Sequence, residues 1–254
     1  MSTAPEPVER DSRGILDPWL LRQRISLTRY PAGPALTGLV DRFWAVQWDL
    51  PAGVVHRQEV LTHPGANLSV GHPNARSSDS VAGRIEARCN GVARGLTTRV
   101  LVGKGWAVAA MTTPGGLGAF TRDPASAFTD RVVPLGQAIA LDEITLIRHV
   151  GTAPDEASRI AVLARSLEQA LNPQRVPAAR QVADIAKLAE ADRSVRRLDD
   201  LCARAGVSQR SLQRMFLQYA GVSPTWVLRR YRLLEAAEAA RDGQRMSWAE
   251  VGAG

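Results

Sequence analysis

Several things are scarce in this chain, and each shortage narrows what it can be. Only two of the 254 residues are cysteine, Cys89 and Cys202, far apart and without Cys-x-x-Cys or Cys/His ligand spacing. This argues against a disulfide scaffold or a zinc module, and both are expected to be reduced core or surface thiols. Histidines His56, His63 and His72 lie seven and nine residues apart, unlike the His-x-His pairing of a metal-binding β-barrel, and are expected to make ordinary hydrogen bonds. Aromatic residues make up 5%, so Trp44, Trp48 and Trp106 stand out; core packing is the expectation, stacking on an aromatic effector the competing one. No run approaches the roughly eighteen apolar residues of a membrane span, and MSTAPEPVERDSRG has no apolar signal-peptide centre. A cytoplasmic protein without membrane contact is expected. There is no nucleophile elbow, metal-ligand cluster or convincing acid/base pair, so neither an enzyme nor a cofactor is expected. The glycines of PGGLG and VGKGW lack the strand-loop-helix setting of a phosphate cradle and are taken as turns.

What is present is positive charge, unevenly placed. The net charge is +7, with fourteen basic against nine acidic residues in 174–254 but eighteen against sixteen before it. All but two basic residues are arginine. A basic excess concentrated in one third of a chain fits a polyanionic partner.

The texture divides the chain. Residues 1–20, with Pro5, Pro7 and Pro18, are expected to form a disordered tail. From about 25 to 133, short apolar stretches such as LVDRFWAVQWDL are broken by Gly, Pro and Asn. Phe43, Ala45 and Gln47 alternate with Trp44, Val46 and Trp48, which suits a small antiparallel β-barrel or sandwich. After Pro134 the period lengthens: Leu135, Ile139, Leu146 and Ile147 recur at helical intervals, and a helix over 155–171 carries Ile160, Leu163, Leu167 and Leu171 on one stripe. That stripe is expected to take part in a homodimer. The whole is an α+β chain: a β domain with C-terminal helices at 21–171, a linker NPQRVP at 172–177, and an all-α domain at 178–254.

In the all-α part a first helix over 178–191 should turn Val182, Ile185 and Leu188 inward, and a second over 197–205 should bury Leu198 and Leu201. Asp199 and Asp200 suit its first turn. Gly206 can take the left-handed conformation that ends a helix, and Ser208 can cap the next one. Helix, glycine turn and Ser-capped helix make the helix-turn-helix pattern. In the helix 209–219, Leu212, Phe216 and Tyr219 fall at i, i+4 and i+7 with Met215 beside them, while Gln209, Arg210, Gln213 and Arg214 fall on other faces. Arginine can donate twice to guanine and glutamine can pair with adenine, so this face can read base edges; a solvated helix face is the bland alternative.

The segment LDDLCARAGVSQRSLQRMFLQYAGVSPTWVLRRYRLLEAA resembles the DNA-binding domain of AraC/XylS-type bacterial transcription regulators. The resemblance rests on Gly206, Ser208, Leu212, Arg214, Phe216, Gly221, Ser223, Pro224, Arg232, Leu233 and Ala236, with Trp226 where the family usually has Tyr or Phe. It implies double-stranded DNA as partner, Arg210, Gln213 and Arg214 at base-reading positions, and Ser208 and Ser211 as candidate phosphate contacts. The family has two helix-turn-helix units joined by a long helix, here about 224–242. SWAEVGAG resembles the start of the second, so the domain is expected to be truncated, with apolar surface exposed near Leu233, Trp248 and Val251. HPGANLSVG, TTPGGLGAF and FTDRVVPLGQ more loosely resemble a sensor-like β domain found in part of the family. A small-molecule effector, RNA polymerase and a second copy are the further partners implied. The alternative function is a regulatory interaction module that dimerises or sequesters a partner without tight DNA binding.

Overall fold

The computed structural model describes residues 25–73 and 84–241; the expected N-terminal tail and SWAEVGAG, with Trp248 and Val251, lie outside them. The described residues form eight strands and seven α-helices. The strands are β1 (Ile25–Pro31), β2 (Val40–Asp49), β3 (Val55–Val60), β4 (Asn67–Gly71), β5 (Glu86–Asn90), β6 (Thr97–Val102), β7 (Lys104–Thr112) and β8 (Val132–Pro134). An antiparallel sheet runs β1-β2-β7-β4-β5-β8, and β3 pairs with β6 as a separate antiparallel ribbon. The result is an open, sandwich-like arrangement, not a closed barrel.

The period-2 alternation assigns the faces of the large sheet. Phe43, Ala45, Leu68, Val70, Ala87 and Cys89 enter one core. Helices α1 (Leu135–Ala138), α2 (Glu143–Thr152) and α3 (Glu156–Gln169) cover that face. Trp44, Val46, Asn67, Ser69, Glu86 and Arg88, the intervening residues, line a cavity on the other face, toward β3 and β6. Side chains that alternate along a strand must segregate in this way. Asp142 and Asp155 cap α2 and α3 by accepting from Thr145 N and Ser158 N. Ile139 is extended rather than helical, because α1 ends one residue earlier.

The stripe expected to meet a second copy is used within the chain. Ile160, Leu163 and Leu167 of α3 are each fully buried in the sheet-domain core, and the Tyr30 hydroxyl of β1 donates to Glu156 Oε1 at 2.7 Å. An amphipathic stripe specifies burial but not the partner that provides it. The motive for a homodimer through this helix is thereby removed.

Four further helices follow: α4 (Val176–Ala191), α5 (Leu198–Ala205), α6 (Gln209–Tyr219) and α7 (Pro224–Arg241). Val182, Ile185, Leu201, Leu212, Phe216, Val227 and Leu228 form a second core. Leu188 is exposed on α4, contrary to the inward position its spacing suggested. Residues 172–177 are tied down: Asn172 N donates to Ala119 O, and Arg175 donates through Nε to Gly118 O at 2.7 Å and through Nη1 to Arg122 O at 3.0 Å. Leu61 and Val92, from beside the β3–β6 ribbon, enter the second core, so the two halves share a packed seam.

Candidate nucleic-acid interface

The interface begins with the two ends of α5. Asp200 Oδ2 accepts from the backbone N–H groups of Arg197 at 2.9 Å and Arg196 at 3.1 Å, and these donors hold its carboxyl below the usual carboxylate range. Gly206 adopts φ 66° and ψ 28°, the left-handed region that closes the helix through its N–H to Cys202 O. Two residues later Ser208 turns the chain into α6: its Oγ accepts from Ser211 N at 3.3 Å and donates to Ser211 Oγ at 3.0 Å. Both serine hydroxyls are thus engaged with each other at the cap. The side-chain amide of Gln209 donates to Asp199 of α5.

That leaves Arg210, Gln213 and Arg214 exposed. They share one face of α6 with Leu217, at i, i+3, i+4 and i+7. On the opposite side Leu212 and Phe216 are fully buried. Leu217 is 47% exposed and was not singled out from the sequence, although its spacing from Arg210 carried the signal. An apolar group there can meet a thymine methyl. Of the six candidate residues, three are brought together on one open face, and Ser208, Gln209 and Ser211 organise the turn.

Two arginines of α7 fix the unit. Arg232 Nη2 donates to the carbonyls of Ala189 at 2.9 Å and Asp192 at 3.1 Å, fastening the α4 C-terminus, and its Nη1 meets Glu235 Oε1 at 2.8 Å. Arg230, also not singled out from the sequence, is buried at 5% exposure. It donates through Nη1 to Thr62 O at 3.2 Å and through Nη2 to Arg94 O at 2.6 Å, over the Trp226 ring. Burial pushes its guanidinium pKa down. At the other end of α6, a Cβ on Gly118 would meet Tyr219 at 2.5–2.7 Å, and Thr129 Oγ1 donates to Gly221 O at 2.6 Å. The exposed face of α6 borders the sheet domain: Arg210, Gln213 and Arg214 share a cleft of about 400 Å³ with Pro124 and Ser126.

Comparison with family models matches residues 201–253 to a helix-turn-helix domain. Its C-terminal part therefore carries a helix-turn-helix domain of the AraC type. A separate model, a domain of unknown function (DUF6597), matches residues 28–134, which hold all eight strands except the first three residues of β1. No curated protein and no solved structure matches the chain. No described helix is long and apolar enough to cross a membrane. In the sheet domain His72 Nδ1 accepts from Trp106 N at 3.1 Å, and Trp48 is buried with Ile25 and Leu50. Trp44 Nε1 donates to Asn67 Oδ1 at 2.8 Å, and the Arg159 guanidinium lies 4.2 Å from the Trp106 ring centroid. Cys89 is buried, which pushes its thiol pKa up to about 12.

Proposed function

We propose that this DNA-binding transcription regulator recognises a specific sequence by inserting α6 into the major groove, while its sheet domain senses a chemical signal. One observation carries the assignment: Arg210, Gln213 and Arg214 project from the open face of a helix whose other face is locked into a core. Such a helix is rigid where it must be positioned and chemically rich where it must read. Arg210 and Gln213 supply bidentate donors and acceptors for guanine and adenine edges, and Arg214 reaches a base or a phosphate. The N–H groups of the first turn face the phosphate backbone with favourable dipole polarity. The work is binding, not bond making, and it belongs in the cytoplasm with the DNA.

Selection of bound duplexes from a random pool, using the full chain, tests this. A recovered motif that loses one or two positions when Arg210 or Gln213 becomes Ala is the expected result. Recovery of no motif, together with capture of a protein partner whose binding needs the same face, would favour the interaction-module alternative.

A further inference from the structure

The cavity between the large sheet and the β3–β6 ribbon is unusually basic for an interior. It encloses about 660 Å³, within the range of small-molecule sites, and four arginines line it, Arg29, Arg42, Arg88 and Arg99, against one glutamate. Two of these have carboxylate partners: Arg88 Nη2 lies 2.8 Å from Glu86 Oε2, and Arg42 Nε lies 2.7 Å from Asp41 Oδ2. The polar floor is largely satisfied internally, since Asn90 Nδ2 donates to Asn67 O and Ser69 Oγ, and Trp44 donates to Asn67.

Two groups differ. The Arg99 guanidinium makes no hydrogen bond or ion pair among the described residues, and desolvation pushes its pKa down. Gln58 is 4% exposed; its Nε2 donates to Glu59 O, but its Oε1 has no donor. These residues are direct cross-strand partners on the β3–β6 ribbon, and both line the cavity. Opposite side chains on one face of such a pair lie within reach of a single small ligand. A half-buried cation and a buried acceptor are each costly without a partner, the cation less so than if it were fully enclosed. A ligand that supplies an anion to one and an N–H or O–H to the other removes both penalties together.

We propose that this cavity binds a small organic carboxylate with a neighbouring N–H or O–H donor, its head held by Arg99 and Gln58 and its flat apolar body lying against Trp44, Val46 and Leu101. The proposal gives the chemical class of the signal and rests on the sensing role set out above. Its route to the DNA-binding half is on the same wall. Val60, Leu61, Thr62 and His63 line the cavity, Leu61 enters the second core, and Arg230 of α7 grips Thr62 O. A ligand that moves this segment moves a residue clamped to the DNA-binding half.

The test uses the full chain without DNA, with indole-2-carboxylate and 2-hydroxybenzoate as probes and their neutral amides as controls. Tryptophan fluorescence titration and thermal melting are the readouts. The carboxylates should bind and raise Tm, and the amides should not. Arg99→Gln should weaken carboxylate binding at least about tenfold while the ligand-free protein melts no lower, because an uncompensated charge has gone. Gln58→Leu should weaken both probes but spare benzoate, which has no adjacent donor. Carboxylates no better than amides on the wild type, or equal binding by a folded Arg99→Gln, overturns the proposal. DNA binding is measured separately, so carboxylate binding without DNA binding refutes the regulator and leaves the site standing; the converse refutes the site alone.

Discussion

Changing one residue on each side of α6 should separate reading from folding. Phe216 is fully buried among Leu201, Leu212, Val227 and Leu228, so Phe216→Ala leaves a cavity in a packed core and should cost about 3–5 kcal/mol. Domains of this kind have only about 5–15 kcal/mol of stability to lose. Gln213 and Arg210 are exposed and make no hydrogen bond or ion pair among the described residues, so alanine at either should change stability by no more than about 0.5 kcal/mol. Each should instead lose a bidentate base contact worth about 1–3 kcal/mol, or about 5- to 150-fold in Kd, and only on the preferred site. Arg214→Ala separates two roles: loss of a phosphate contact weakens all sequences alike and lowers the slope of log K against log salt by about one unit. Anisotropy titrations on the selected site and a scrambled one, with urea unfolding followed by circular dichroism, measure both quantities. Should Arg210→Ala and Gln213→Ala bind as wild type with the fold intact, α6 is not the reader. If Phe216→Ala is as stable as wild type, the packing described for the second core is wrong.

Other perturbations reach the supports of that helix. Arg230→Met removes two charged hydrogen bonds across the seam and leaves Thr62 O and Arg94 O without their donor, at about 2–5 kcal/mol; hydrogen exchange should accelerate around 60–63 and in α7, and unchanged exchange contradicts the clamp. Gly206→Ala meets no atom within 4 Å, so its penalty should be only the left-handed backbone, about 1–2 kcal/mol by thermal melting; a much larger loss implies an unseen contact. Asp142, Asp155 and Asp192, through the hydroxyls of Thr145, Ser158 and Ser194, and Asp200, through the Arg197 N–H, have carboxyl pKa values below the ordinary range. A depressed folded pKa contributes stability above the unfolded value of about 4, lost as pH falls through the folded value, so urea midpoints should fall on acidification, and less steeply in Asp155→Asn.

Local chemistry was the legible part of the sequence. The left-handed Gly206, the Ser208 cap and both ends of α6 follow from residues within one turn of the feature they specify, and all are found where the pattern puts them. The alternation of Phe43 and Ala45 with Trp44 and Val46 likewise separated the faces of β2. It could not say that one face would meet helices and the other a basic cavity, because hydrophobicity fixes burial and not the partner. The same gap explains the stripe of 155–171, which has the spacing of a dimer seam and packs on its own sheet. Arg99 and Gln58 stand 41 residues apart, and only the β3–β6 register makes them neighbours. Arg230 carried no sequence signal beyond being one more arginine in a basic segment; its role exists only because Thr62 and Arg94 are folded against it.

The seam bears on how a signal could be transmitted. The sheet domain holds the C-terminal DNA-binding half at separate points: Thr62 and Arg94 through Arg230 on α7, Thr129 through Gly221 before α7, and Gly118 against Tyr219 at the end of α6. Arg230 and Thr129 hold backbone carbonyls across the seam, and Gly118 approaches Tyr219 too closely to admit a Cβ, so each contact ties the backbone on one side to the other. The N-terminal half of α6, where Arg210 and Gln213 lie, is held mainly by its buried face. A shift of the sheet domain therefore acts on α6 at its C-terminal end and through α7, and changes the direction in which Arg210 and Gln213 point without altering their chemistry. Base reading by bidentate pairs depends steeply on direction, while attraction to phosphates does not. Regulation through this seam should accordingly change specificity more than it changes non-specific affinity for DNA.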